Sequence, residues 1–355
     1  MSALASRRPA SREPASSRHL RVLAEPGEAR EPAELRGHGR DDVRLLVAHR
    51  DGFISRARFA ELPELLAPGD LLAINTSATL PAAIRARGAE PDLRLHLSSP
   101  APGRGAGAWL VELRRAGERF PGSAEGEVLL LPDGGTAVLL ERHPAGRLWL
   151  AQLQLPAAVP HYLARHGEPI RYGHAAEAWP LERYQTVYAN APGSAEMPSA
   201  GRAFTPELIT QLVAAGIDVA PLVLHTGVSS LEAAEAPHAE RYRVPRFTAE
   251  RINLARRLGG RVIAVGTTAV RALESAVGED GLVREAEGWT DLVIEPDTPI
   301  EVVDGLLSGF HDRDSSHLAM LEAIAGADLL ERSYEEAADA GYLRHEFGDL
   351  HLILP

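Results

Sequence analysis

Histidines and acids that follow apolar runs are the residues of this chain most suited to chemistry, because the ends of strands are where α/β proteins gather reactive groups. His225, Thr226 and Gly227 come directly after the run Val219 to Leu224, while Asp304 follows Val302 and Val303, with Phe310 and His311 just beyond. His225 and His311 have the chemistry of a general acid or base, and Asp304 that of a carboxylate partner. His238 and Glu240 stand two residues apart, so in an extended segment both project to one side. A single histidine is more often a satisfied core residue than a catalyst, so only their convergence would give them a role. No pair has the helical His-x-x-x-His spacing, and no metal is expected.

A second constellation suits anion binding. Gly259 and Gly260 precede the apolar run Val262 to Val265, and Gly266, Thr267 and Thr268 open a helical pattern. Free backbone N–H groups and the helix dipole at such a start favour a carboxylate or phosphate, although a threonine there can equally cap its own helix. Tyr184, Gln185 and Thr186 lie in a polar, aromatic stretch before the loop from Pro192 to Gly201, the composition of a binding loop or of a packed tyrosine corner.

The elements that must position these groups follow from periodicity. A strand is expected over Val43 to Ala48, a helix near Arg58 to Leu66 and a strand over Leu71 to Asn75. From Leu93 to Leu153, short β-rich runs broken by Gly and Pro read as an antiparallel barrel or sandwich. After Pro156 helices and strands alternate: helices over Pro206 to Ala215, Ala249 to Leu258 and Thr268 to Ala276, and strands over Val219 to Leu224, Arg261 to Val265 and near Leu292 and Val302. The expected fold is α/β, with a largely parallel sheet core and an inserted small antiparallel β-barrel domain. The divisions are a mobile tail over 1–20, the α/β domain over 21–84 and 153–355, and the barrel over 85–152.

Composition narrows the chemistry. The 355 residues include no cysteine and carry a formal net charge of −12. Without thiols there are no disulfides, thiolate nucleophiles or cysteine-held iron–sulfur clusters. No apolar run approaches the roughly 20 residues of a membrane span, and the arginine-rich start has no apolar core segment behind it. A cytoplasmic location without membrane association is the expectation. The acidic balance argues against a surface that is basic throughout, which leaves local clusters as the RNA-binding candidates. Arg241, Arg243, Arg246, Arg251, Arg256, Arg257 and Arg261, accompanied by the single acid Glu250, form the densest one.

Taken in order, these segments resemble the S-adenosylmethionine:tRNA ribosyltransferase-isomerase family of queuosine biosynthesis. The carriers are Pro68 to Leu72 with Asn75; Glu182 to Ala189; Ser194 with Pro198, Ala200, Gly201, Phe204 and Thr205; Leu224, His225 and Gly227; His238, Glu240 and Tyr242; Gly259 to Ser275; and Val302 to His311. They extend from about residue 40 to the C-terminus. The resemblance implies S-adenosylmethionine as substrate and tRNA as partner. It implies transfer and isomerisation of the ribosyl group onto a 7-aminomethyl-7-deazaguanine base, giving epoxyqueuosine with release of adenine and methionine. Catalytic roles would fall among His225, His238, Glu240, Asp304 and His311. Substrate contacts would fall among Asn75, Tyr184, Gln185, Thr186, Ser199, Gly201, Gly266, Thr267, Thr268 and Arg271.

The chain departs from the family pattern in places. Asn75 is followed by Thr76, Ser77 and Ala78 where the family has Asp, Thr and Arg; Glu196 and Met197 replace small residues; Ala203 replaces a histidine; and Asp312, Arg313, Asp314 and Ser315 stand for Leu, Pro, Lys and Ser. Losing cations and gaining acids keeps two other readings open: a divergent S-adenosylmethionine enzyme with a small-molecule acceptor, and a non-catalytic RNA-binding module.

Overall fold

Leu71–Asn75 is the strand on which the larger sheet is built, and each of its residues is buried, as a strand covered on both faces requires. The structure, a computed structural model, describes residues 24–144, 146–171, 177–228, 238–312 and 315–355. The segment 1–20, and Arg313 and Asp314, lie outside the described residues.

Asp218–Leu224 and Val262–Val265 flank Leu71–Asn75 in parallel, and Gly305–Gly309 continues the parallel run. Beyond this centre the nine-stranded sheet becomes mixed. Glu240–Val244 and Ala286–Thr290 add antiparallel at one edge. On the other side Leu350–Leu354 is antiparallel to Gly305–Gly309, Arg44–His49 parallel to it, and Ile54–Arg58 antiparallel again. The expected largely parallel core therefore holds only for the central strands. Ala286–Thr290 and Leu350–Leu354 each pair antiparallel with their inner neighbour even though helices intervene in the chain.

Helices cover both faces. Arg246–Arg257, Thr267–Glu274, His317–Ala325 and Ala327–Asp339 bury Ile252, Val270, Leu321 and Tyr334 on one side. Pro206–Ala214 and the short turns from Phe59 to Leu65 bury Leu208, Leu212 and Phe59 on the other. The Thr205 side chain accepts the Leu208 N–H at 3.1 Å and Pro206 takes the first helical position, so this helix starts where its sequence says it should.

The second sheet is antiparallel and eight-stranded, built from Ala83–Ala86, Leu93–Pro100, Ala108–Arg115, Val128–Leu130, Thr136–Arg142 and Leu148–Gln154, with the short Glu118–Arg119 and Gly167–Glu168. It curls into a half-barrel, and reciprocal Arg87–Leu130 backbone bonds of 2.9 and 2.7 Å draw its ends together. It shares no strand with the larger sheet. Helix Val159–His166 packs on it through Tyr162 and Leu163, so residues on both sides of 85–152 contribute.

Asp70 anchors the turn into the central strand. Its carboxylate accepts the Ala67 N–H at 2.8 Å, the Arg261 N–H at 3.1 Å and the Arg261 guanidinium at 2.5 Å. Burial alone would raise its pKa; the Arg261 hydrogen bond, the two backbone N–H groups and the Arg261 charge outweigh it and hold the carboxyl below its usual range. A depressed carboxyl contributes stability above its unfolded pKa and loses it as pH falls through the folded value. Asp70→Ala is expected to cost roughly 1–3 kcal/mol near neutrality. Urea unfolding at pH 7 and pH 3 checks this, the difference from the parent narrowing at the lower pH.

Candidate active site

The carboxyl ends of the central strands meet the half-barrel around a cavity of about 310 Å³. Asn75 ties these ends together. Its amide donates to the Leu224 carbonyl at 2.8 Å and to Thr268 Oγ1 at 3.1 Å, and its Oδ1 accepts the Leu224 and Ser77 N–H groups at 3.0 and 3.1 Å. Gly266, at φ +91°, then turns the chain from strand to helix in a conformation strained for any side chain, which brings Thr267 and Thr268 to the cavity wall.

Glu240 and Arg271 form an ion pair at this wall, both nearly buried. The other Glu240 oxygen accepts the Gly227 N–H at 2.8 Å, while Arg271 also donates to the Leu292 and Thr290 carbonyls at 3.0 and 3.2 Å. One charge pair thus holds the turn at Gly227 and the segment from Thr290 to Leu292. His238 Nε2 lies 3.1 Å from Ser98 Oγ, a residue of the half-barrel, and the same hydroxyl accepts the Val228 N–H at 3.0 Å. Gly227 is required there, since an added Cβ would come within 2.0 Å of His238 Nε2. Arg147 reaches the cavity from the half-barrel, lying 3.5 Å from buried Glu112 and donating to the Val228 carbonyl at 3.3 Å.

Opposite stands a histidine pair. His311 and His317 stack with ring centroids 4.5 Å apart, Ser308 Oγ lies 2.9 Å from His311 Nε2, and Ser315 Oγ lies 2.9 Å from His317 Nδ1. Burial is the main cause that lowers both pKa values, His311 well below the usual range, and neighbouring His317, His345 and His351 lower His311 further. Burial thus favours the neutral form of both rings, the state in which an imidazole can accept a proton.

Of the residues singled out from the sequence, His238, Glu240, His311, Tyr184, Ser199, Gly266, Thr267, Thr268 and Arg271 line the cavity. His225 lies behind the wall: its Nδ1 is 2.7 Å from Ser77 Oγ, and burial, helped by Arg241, takes its pKa down to about 4. Asp304 is at the opposite ends of the central strands. It precedes the strand Gly305–Gly309 instead of ending one, and its carboxylate accepts the Val262 N–H at the start of the neighbouring strand, 2.8 Å away. The residues Val302 and Val303 that resembled a strand are buried loop. Gln185 pairs with the Thr79 backbone through both amide atoms at 2.9 and 2.7 Å, Thr186 is buried, and Gly201 makes room for the Tyr188 ring. Those three and Asn75 support the wall from outside the cavity.

The sequence reading missed His317, His345, Arg147 and Ser308. His317 had one visible signal, a Ser-Ser-His sequence before an apolar helical run; Arg147 had none, since its strand belongs to the other sheet. Most arginines between Arg241 and Arg261 are engaged within the chain. Arg241 pairs with Glu287, Arg246 with Glu250, Arg251 with Asp218 and Arg261 with Asp70, and Arg256 donates to the Gly281 and Glu301 carbonyls.

Fold and cavity together define an α/β protein whose small-molecule site is walled by an antiparallel half-barrel. The chain belongs to the queuosine biosynthesis protein family, whose model matches residues 22–353. It is 36% identical over 335 residues to the S-adenosylmethionine:tRNA ribosyltransferase-isomerase of Desulfitobacterium hafniense, covering 89% of this chain and 94% of that one. The protein of the same name from Symbiobacterium thermophilum is 38% identical over 346 residues, with the same coverages. The crystal structure of an S-adenosylmethionine tRNA ribosyltransferase from Thermotoga maritima aligns with a TM-score of 0.52 at 31% identity, covering 92% of this chain and 96% of that one.

His351 gives a stability prediction. It is fully buried, stacked on Phe310 with centroids 5.4 Å apart, and neither ring nitrogen has a hydrogen-bond partner. Burial lowers its pKa to about 3. Between that value and the unfolded pKa of roughly 6.5 the unfolded chain holds more protons, so stability falls as pH falls through this window. His351→Leu is expected to raise stability by roughly 1–3 kcal/mol and to weaken that acid sensitivity. Unfolding midpoints at pH 7.5 and pH 5 check it; a lower midpoint at both would contradict it.

Proposed function

We infer that this chain is an S-adenosylmethionine:tRNA ribosyltransferase-isomerase of queuosine biosynthesis. The observation that carries the reading is the full-length similarity to proteins of that name, joined to a cavity whose wall is made from the same motifs. In this reading the cavity takes S-adenosylmethionine, and its volume suits a small-molecule site. The acceptor is a 7-aminomethyl-7-deazaguanine base in tRNA, and the products are epoxyqueuosine, adenine and methionine. The enzyme works in the cytoplasm and without a metal.

The reaction asks for three things: removal of a proton from the ribose carbon beside the sulfonium, departure of adenine, and a held positive sulfur. His311 is the favoured base. It lines the cavity, and the Ser308 hydroxyl lies 2.9 Å from its Nε2. His238, steered by Ser98, is positioned for a second proton transfer. Glu240 and Arg271 are positioning residues, since their charges are spent on each other and on the loops they hold. Thr267 and Thr268, at a helix start, suit the amino-acid carboxylate of the substrate. His225 acts through Ser77 and Ser194 on the supporting layer and not on substrate.

Incubating the protein with S-adenosylmethionine and tRNA bearing the deazaguanine should release adenine, and omitting the tRNA should abolish or sharply reduce release. No release with the modified tRNA would overturn the reading, whereas release without any acceptor would point to a small-molecule one. His311→Gln should lower the rate by about 10²–10⁴-fold, the usual share of a positioned base. Deuterium uptake from solvent at the ribose 5′ carbon checks the assignment: persistence in His311→Gln and loss in His238→Gln would move the role to His238.

A further inference from the structure

Three guanidinium groups share one carboxylate beside the cavity. Arg202 Nη2 lies 2.9 Å from Glu34 Oε2, Arg183 Nη1 3.1 Å from Glu34 Oε1, and Arg40 Nε 3.5 Å from the same oxygen. A fourth arginine, Arg36, donates Nη2 to the Phe347 carbonyl at 3.1 Å, while its Nη1 is buried without a hydrogen-bond partner. In the run from Arg241 to Arg261, by contrast, Arg241, Arg246, Arg251 and Arg261 each have a carboxylate of their own. An excess of positive charge held partly out of water is costly, and an added anion relieves it.

The placement is specific. Arg40 donates to the Gln185 carbonyl at 3.1 Å and Arg202 Nε to the Arg183 carbonyl at 3.0 Å, so the cluster grips the turn whose Tyr184 lines the cavity. A smaller recess lined by Arg40, Arg202, Glu346 and Phe347 shares Ser199, His345 and Glu346 with the main cavity. Arg202 is 4% exposed and stacks its guanidinium 5.0 Å from the Phe347 ring centre, whereas Arg40 and Arg183 are 18% and 37% exposed. The buried arginine therefore braces the cluster from behind and the other two present donors to solvent.

We propose that Arg40 and Arg183 form an anion site that takes a backbone phosphate of the RNA next to the nucleotide entering the cavity. The proposal rests on the tRNA reading above. A macromolecular acceptor whose base enters the cavity must leave its flanking phosphates at the rim, and the planar donors of arginine match phosphate oxygens in pairs. The whole-chain charge of −12 makes such a local excess the more necessary, because the remaining surface repels a polyanion.

Salt dependence tests it. Binding of unmodified tRNA transcript to the full chain is measured by fluorescence anisotropy across a salt series, for the parent, Arg40→Gln, Arg183→Gln, and the control triple variant R251Q/R256Q/R257Q. Each of the first two should reduce the slope of log K against log salt by roughly 0.7–0.9. The triple variant should keep the parent slope. Arg40→Lys and Arg183→Lys should also keep it, since the charge remains. An affinity loss of equal size at every salt concentration, with the slope unchanged in the Gln variants, would reduce these arginines to structural braces and overturn the proposal. A fall in slope for the triple variant alone would move the contact to the other arginine run and overturn it too. Adenine release by the parent protein reports on the ribosyl-transfer reading separately, because it does not depend on which arginines meet phosphate.

Discussion

The buried pairing of Glu240 with Arg271 is the constraint from which the rest of the cavity follows. A carboxylate in the interior must be compensated, and this one is met by a guanidinium and by the Gly227 N–H. The guanidinium in turn uses its remaining donors on Leu292 and Thr290, so an edge strand, a helix and the turn after Leu224 are held in one arrangement. Removing either charge would strand the other, a loss of roughly 3–5 kcal/mol in buried pairs. The same economy makes both groups poor candidates for direct chemistry, because neither can change charge or partner without loosening the wall.

Neutrality is what the histidines supply. His311 and His317 are stacked, buried and surrounded by other imidazoles, and each influence except Glu240 on His317 disfavours their protonated forms. An imidazole accepts a proton only in its neutral form. Burial favours that form without a dedicated acid–base partner: the serine hydroxyls at His311 and His317 orient the rings and leave their charge state to the low dielectric.

Much of this was legible in the residue pattern, and the failures have identifiable causes. Leu71 to Asn75 was read with its observed bounds because an all-apolar run between a Pro-Gly-Asp turn and a polar residue admits few alternatives. The stretch from Leu93 to Leu153 was legible as a series of short antiparallel strands because Gly and Pro punctuate it, whereas Ala83–Ala86 and Gly167–Glu168 of the same sheet lie outside it. His238 and Glu240 reach the same cavity, as their spacing in an extended segment implied. Asp304 failed because Val302 and Val303 are buried in a loop, and burial alone gives the same apolar signature as a strand. The C-terminal strand Leu350–Leu354 and the edge strand Ala286–Thr290 were missed for the opposite reason: their places in the sheet come from tertiary pairing and not from a repeating local pattern.

What no local reading could supply is the second wall. Glu112, buried in the half-barrel, requires cations, and Arg114 at 3.1 Å and Arg147 at 3.5 Å provide them. Because Arg147 also donates to the Val228 carbonyl and Ser98 accepts the Val228 N–H, the half-barrel fixes the strand-end loop on which Gly227 and Thr226 sit. Each sheet thus satisfies buried polar groups of the other, and the cavity exists because neither can satisfy them alone. A substrate placed between them would touch residues of both, so the residues that bind it are necessarily distant in sequence. Val228 is held by the half-barrel and Gly227, its neighbour, holds Glu240, so the two walls are linked through adjacent residues of one loop.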